Sequence, residues 1–152
     1  MEKMEPYLAP PMIESARKLG LPVVWAGGWR TAPAMLSPEM FARFTWPHLR
    51  RLVYEIVDAG LIAFLHLDSN WTRELERFRE LPRGRCIRAF DGFTDIFKAK
   101  EVVGDHLCIM GDVSATKLAF GEPEGFILQS GCDIPNNARL ENAQAMIAAA
   151  TS

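Results

Sequence analysis

No apolar run in the 152-residue chain approaches the ~20 residues of a membrane-spanning helix. Residues 1–11 carry three prolines and lack both the apolar centre of a signal peptide and the bias of a transit peptide, so the cytoplasm is the expected compartment. Three cysteines, an odd number at wide spacing, do not form a disulfide framework. Cys86 and Cys108 sit inside apolar runs and read as buried, reduced thiols. Charge of one sign is also missing. Seventeen Lys and Arg against 19 Asp and Glu leave a net charge of -2, which gives no strong pull toward nucleic acid or anionic lipid. Arg50-Arg51 and Arg83-Gly84-Arg85 read as solvated helix and turn positions, and His48 and His106 as structural or exposed. There is no Gly-Lys-Ser/Thr phosphate loop, no Gly-x-Ser-x-Gly elbow and no Cys-x-x-Cys pair.

The most informative stretch is Leu61-Ile62-Ala63-Phe64-Leu65-His66-Leu67-Asp68-Ser69-Asn70. It starts as a nearly continuous apolar run, the pattern of a strand buried on both faces of a parallel sheet. It ends in polar chemistry, as strands of an α/β barrel do at the active face. His66 and Asp68 are two apart and project to one side of an extended chain. They read either as two ligands or an acid–base pair in one pocket, or as a hydrogen-bonded cap on the strand end.

The rest of the chain alternates in the same way. Strands are expected at about 22–26, 61–67, 86–90, 107–111 and 126–130. Helices are expected at 12–19, closed by Gly20, from the Ser37-Pro38-Glu39 start to Pro47, at 47–59, closed by Gly60, at 72–80, 94–103 with Thr94 as cap, 114–120 and 139–150. Gly27-Gly28 after the first strand permits close approach of a ligand, or makes a tight turn. Alternating strands and helices predict a parallel sheet with right-handed crossovers. The last four strands end in His66/Asp68, Asp91, Asp112 and Cys132, and parallel strands bring such ends to one edge. Asp91 and Asp112 read as pocket-lining catalytic carboxylates, or as caps on the next helix or loop. Trp71 and Asn70, beside the site, read as cofactor-binding, with Trp71 stacking on a flat ligand or closing the core as an aromatic lid.

Several segments carry a family resemblance together: Ser37-Pro38-Glu39-Met40-Phe41 through Trp46-Pro47, His66-Leu67-Asp68, Asp95-Ile96-Phe97-Lys98-Ala99-Lys100, Met110-Gly111-Asp112-Val113, and Gly131-Cys132-Asp133-Ile134-Pro135 with Glu141-Asn142. They resemble the C-terminal half of the uroporphyrinogen decarboxylase superfamily, whose fold is a TIM barrel. The resemblance implies one half-barrel domain over 21–152 after a lead-in at 1–20, with about five parallel strands and flanking helices. Where the decarboxylase branch has Gly-His-Gly, this chain has Gly131-Cys132-Asp133. It looks closer to the corrinoid- and thiol-using methyltransferases, whose His-x-Cys motif and distant Cys map onto His66, Asp68 and Cys132, with Asp68 in place of the first cysteine. The resemblance implies zinc at those three residues, a methylcorrinoid co-substrate, a thiol or tetrapyrrole-like small molecule as ligand, and a corrinoid protein as partner. A half-barrel has open edges and an uncovered apolar face, which implies self-association or a companion subunit.

Overall fold

The computed structural model describes residues 7–28, 30–112, 126–129 and 140–151. Helix α1 (Ala9–Leu19) ends at Gly20, whose φ of 66° supplies the left-handed cap; it starts three residues before the expected position, with prolines in its first turn. Strand β1 (Val23–Gly28) comes next. Helix α2 (Pro38–Phe44) is capped as its sequence predicts: Ser37 Oγ accepts from Met40 N at 3.2 Å, with Pro38 and Glu39 in the first turn. Replacing Ser37 with alanine should lower unfolding stability by about 1 kcal/mol, read as a shifted urea midpoint with unchanged slope. Helix α3 (Trp46–Asp58) runs to Gly60, at φ 86°.

Strand β2 (Ile62–Leu67) leads into a 3₁₀ segment, Thr72–Glu80, where the sequence suggested an α-helix. Its buried residues explain the difference. Leu75, Phe78 and Leu81 recur every third residue, the period of a 3₁₀ helix, and all three are buried. Glu74 is also buried, held by Arg73 Nε at 2.9 Å and Arg77 Nε at 2.6 Å. Strand β3 (Cys86–Phe90), helix α4 (Ile96–Val103), strands β4 (Cys108–Asp112) and β5 (Phe126–Gln129), and helix α5 (Leu140–Thr151) follow. The cap of α4 is Asp95, which accepts from Phe97 N and Lys98 N, and not Thr94, which is turned to the neighbouring loop. The helix expected at 114–120 lies outside the described residues.

The sheet has five strands, all parallel, in sequence order β1-β2-β3-β4-β5. Residues in register share a face. Val24, Ala26, Ala63, Leu65, Leu67, Phe90 and Ile109 belong to the core that the helices and the 3₁₀ segment cover, with Phe41, Trp46, Trp71 and Phe78. The opposite face carries Trp25, Phe64, Ile87 and Met110; Trp25 is 56% exposed and the others are half-buried. The alternation along β2 is strict for this reason: Ala63, Leu65 and Leu67 are buried, Ile62, Phe64 and His66 are not. A one-sided sheet of parallel strands and crossover helices is an open part of a TIM-type barrel, and the open face is the one that would line its interior.

Cys86 is a free thiol. Cys86 is buried, and burial pushes its thiol up to about 11, against the opposing charge of Arg85. Cys108 is half-buried and is also pushed up by burial. His106 is structural, its Nε2 2.7 Å from Leu81 O. Arg50 pairs with Glu80, and Arg83 Nε donates to Asp105 O, both at the surface. Among the described residues no helix is long and apolar enough to cross a membrane.

Candidate functional site

The site forms where β2 stops. His66 lies on the open face of the sheet, its ring stacked over Phe64 at 6.4 Å between centroids. Asp68 lies just past the strand on the same side, with Oδ1 3.2 Å from His66 Nε2. The two side chains are 24% and 35% exposed, so both remain open to a ligand.

The loop behind this pair is held at nearly every backbone group. Arg88 donates to Leu67 O at 2.7 Å and to Leu65 O at 3.4 Å. Trp71 Nε1 donates to Asp68 O at 2.9 Å. Ser69 N donates to Asp91 Oδ2 at 2.6 Å, and Thr94 Oγ1 donates to Ser69 O at 3.3 Å. Trp71 N donates to Thr94 Oγ1, and Thr72 N to Asn70 Oδ1, each at 2.9 Å. Ser69 adopts a φ of 78°, a conformation that L residues other than glycine rarely take and that surrounding contacts must hold. Asp91 and Thr94 supply those contacts from the β3–α4 connection. The loop is therefore a preorganised mount for His66 and Asp68.

Arg88 is the keystone that the sequence did not single out. It is fully buried, with its guanidinium 4.3 Å from the Phe90 ring centroid and near those of Trp71 and Phe78. Its Nε has no hydrogen-bond partner among the described residues. Burial pushes its pKa down to about 9, opposed first by the Asp91 carboxylate and then by that of Asp68. At neutral pH it is charged, a cation directly beneath the strand tips. The available signal was a lone arginine inside the apolar run Cys86–Phe90, since an unpaired charge does not sit in a buried strand without a task.

The other expected site residues divide. Asp91 reaches the site edge, where its carboxylate secures the loop; Phe93 N also donates to Oδ1, at 3.4 Å. Asp112 closes β4 at the same edge of the sheet, in register with Gln129. Asn70 is exposed, and its Oδ1 accepts from Thr72 N just ahead of the 3₁₀ segment. Trp71 is the aromatic lid on the core and not a stacking platform: it is fully buried, edge-on to Phe41 at 5.5 Å between centroids and packed against Phe78. No ligand reaches its faces. Exposed aromatics near the site are Phe93, beside Asp91, and Trp25. The Trp25 indole lies over Gly27, the register partner of His66, and a Cβ there would collide with the ring. Cys132 lies outside the described residues. Among the described residues no group of three or more His, Cys, Asp or Glu side chains forms a metal site. Separately, on the helix side, His48, Leu49, Leu52 and Leu67 line a mostly apolar cavity of about 130 Å³.

Parallel strands with covering helices and a polar cluster at a strand's C-terminal tip define the class: a barrel-type α/β protein, a fold that carries its sites at the carboxyl ends of the strands. Within that class the chain belongs to the uroporphyrinogen decarboxylase (URO-D) family, whose pattern matches residues 23–126. Among solved structures, a methyltransferase from Methanosarcina mazei superposes with a TM-score of 0.67 at 21% identity, over 90% of this chain and 44% of that one. The chain thus spans less than half the length of that structure, and the likeness bears on the fold. No protein of curated function matches the chain.

Proposed function

We propose that the chain carries the metal-binding half of a URO-D-family methyl-transfer centre, with His66, Asp68 and Cys132 as zinc ligands. The observation that carries this reading is the 3.2 Å separation of His66 Nε2 and Asp68 Oδ1 on one rigid mount. Two ligands held ~2.0–2.1 Å from one tetrahedral ion lie about 3.3 Å apart, so the pair is spaced for chelation without rearrangement. Imidazole nitrogen, carboxylate and thiolate are all ordinary zinc donors, and three protein ligands leave a position open for a substrate. Bound there, zinc would lower the pKa of a substrate thiol and so supply a thiolate nucleophile at neutral pH for attack on a methyl group. The family match and the Methanosarcina mazei methyltransferase fold support the reaction class.

The chain's own residues have definable tasks in this reading. Asp68 balances part of the ion's charge, while its carbonyl is fixed by Trp71. Arg88 holds Leu67 O and opposes excess negative charge from Asp68 and Asp91 beneath the site. Asp91 keeps Ser69 in place, and Asp112 ends β4. The methyl donor is a methylcorrinoid, delivered by a corrinoid protein at the strand-tip edge. Trp25, exposed beside Gly27, is placed to bound a flat ligand at that edge.

The test is the zinc-to-protein ratio of purified, chelator-rinsed protein by elemental mass spectrometry. A ratio near one is expected, falling toward zero in His66→Ala and in Cys132→Ser with the fold retained. A ratio near zero in the parent protein overturns the metal reading and leaves a decarboxylase-type chemistry, which needs no ion, to be tested by turnover of uroporphyrinogen.

A further inference from the structure

We propose that the cavity on the helix side of the sheet is a binding site for a small, mostly apolar molecule, the size of a single six-membered ring, that carries one hydroxyl-type group. Its walls come from the end of β1, from one side of α3 and from Leu67 of β2. Leu49 and Leu52 face it from the helix. Its volume of about 130 Å³ is close to that of engineered apolar cavities of roughly 150 Å³ that hold benzene. Leu8 and Thr31, both exposed, border it, so a small molecule has a way in from solvent. Gly28 leaves the room. A Cβ there would stand 3.1 Å from Thr31 Oγ1 and 4.0 Å from Leu67 Cδ2, so any longer side chain would enter the space a ligand needs.

One group in the wall calls for a partner. Thr45 is 6% exposed and lines the cavity. It stands just before α3, where a threonine hydroxyl ordinarily accepts from the first turn. Here it makes no capping bond. The reason is local. Helix α2 runs into α3, with Thr45 N donating to Phe41 O and Leu49 N to Thr45 O, each at 3.0 Å. Thr45 therefore has a helical backbone, φ -113° and ψ -58°, and not the extended shape of a cap. A buried hydroxyl left over in this way is satisfied by a ligand that offers one donor or acceptor. His48, three residues on, adds a second polar group on the same side of α3. Charge is not what the site selects. Arg51 and Glu55 also line it, four apart on α3 and opposite in sign, so the lining offers an ion no net attraction. The cavity stands back to back with the strand-tip site: Gly27 and Gly28 line it and are the register partners of His66 and Leu67. The inference depends on neither zinc nor methyl transfer.

The experiment titrates the 152-residue chain with phenol and with toluene, equal rings that differ by a hydroxyl against a methyl, and follows backbone amide chemical shifts. Phenol is expected to bind at about 0.1–1 mM, ordinary for a ligand this small, with shifts centred on Gly28, Leu49 and Leu52. Toluene should bind about 5–10-fold more weakly, the worth of one hydrogen bond. Thr45→Val should abolish that preference by weakening phenol to the toluene level, and should leave the thermal unfolding midpoint unchanged because no cap is lost. Gly28→Val should remove binding of both rings. Leu49→Phe fills the cavity from the helix side and should do the same, which keeps the test decisive if Gly28→Val does not fold. Absence of shifts with either ring at about 5 mM overturns the proposal, as does binding that survives the filled cavity. A phenol preference that is missing in the parent, or that persists in Thr45→Val, overturns it as well.

Discussion

Replacing Arg88 with alanine is expected to lower the stability of the chain by about 4 kcal/mol, among the largest effects of any single substitution outside the aromatic core. The loss has two parts. Leu67 O and Leu65 O lose their donors in a place water does not reach, at ~1–3 kcal/mol for a buried group left unsatisfied. The space between Phe90, Trp71 and Phe78 also empties. Against this stands the relief of a buried charge, because burial has already pushed the guanidinium down to about 9. The sign of that contribution is definite. A base with a folded pKa below its unfolded value costs stability at neutral pH, and the cost fades only as pH rises from about 9 toward the ordinary arginine range. Arg88→Met keeps much of the volume and discards the charge, so it should recover part of the loss. Arg88→Lys keeps the charge without the planar fork that spans two carbonyls and stacks on rings, and should stay close to alanine. Urea unfolding of the three variants separates these contributions. If Arg88→Met proves as stable as the parent, the carbonyl clamp does no more than offset the cost of the buried charge.

The elements that were legible in the sequence are those whose local signals agreed with their surroundings. Strand β2 announced itself as an apolar run with a polar tip, and β3 was placed to the residue. The Ser37-Pro38-Glu39 start and the Gly20 and Gly60 ends carried their own chemistry, so α1, α2 and α3 were found with small shifts at their ends. What was not legible depended on contacts between segments far apart in the chain. Asp95 or Thr94 could each have capped α4; only the packing of the Ser69 loop, which claims the Thr94 hydroxyl, decides between them. The 3₁₀ geometry at Thr72–Glu80 was implicit in the three-residue spacing of Leu75, Phe78 and Leu81, but that spacing also fits one side of an α-helix. Arg88 carried no local signal beyond being an arginine in an apolar run. Its role emerges only when β2 and β3 pair and its fork meets the last carbonyls of β2. The same holds for the two tryptophans. Sequence proximity put Trp71 at the site and left Trp25 unremarked. The fold sends Trp71 into the core and lays Trp25 beside the register partner of His66.

Trp71 connects the core to the site, and its replacement is expected to separate the two. Trp71→Ala should cost about 4 kcal/mol, because it removes a fully buried ring that packs on Phe41 and Phe78 and leaves a cavity in the middle of the aromatic cluster. Trp71→Phe keeps most of that contact area. Its loss should be nearer ~1–2 kcal/mol, mostly the Nε1–H bond to Asp68 O at 2.9 Å. The site should respond in a different order from the fold. Asp68 O is where Trp71 fixes the backbone under the carboxylate, so freeing it lets Asp68 leave its 3.2 Å alignment with His66. On the proposed zinc reading, Trp71→Phe is therefore expected to remain folded at 25 °C and yet bind zinc roughly 10-fold more weakly than the parent, within the range known for residues that orient metal ligands. A competition titration against a chromophoric chelator, run beside thermal unfolding of the same samples, measures both quantities. If Trp71→Phe loses stability but binds zinc as the parent does, then the mount is held by Arg88, Asp91 and Thr94 without the indole, and Trp71 serves the core alone.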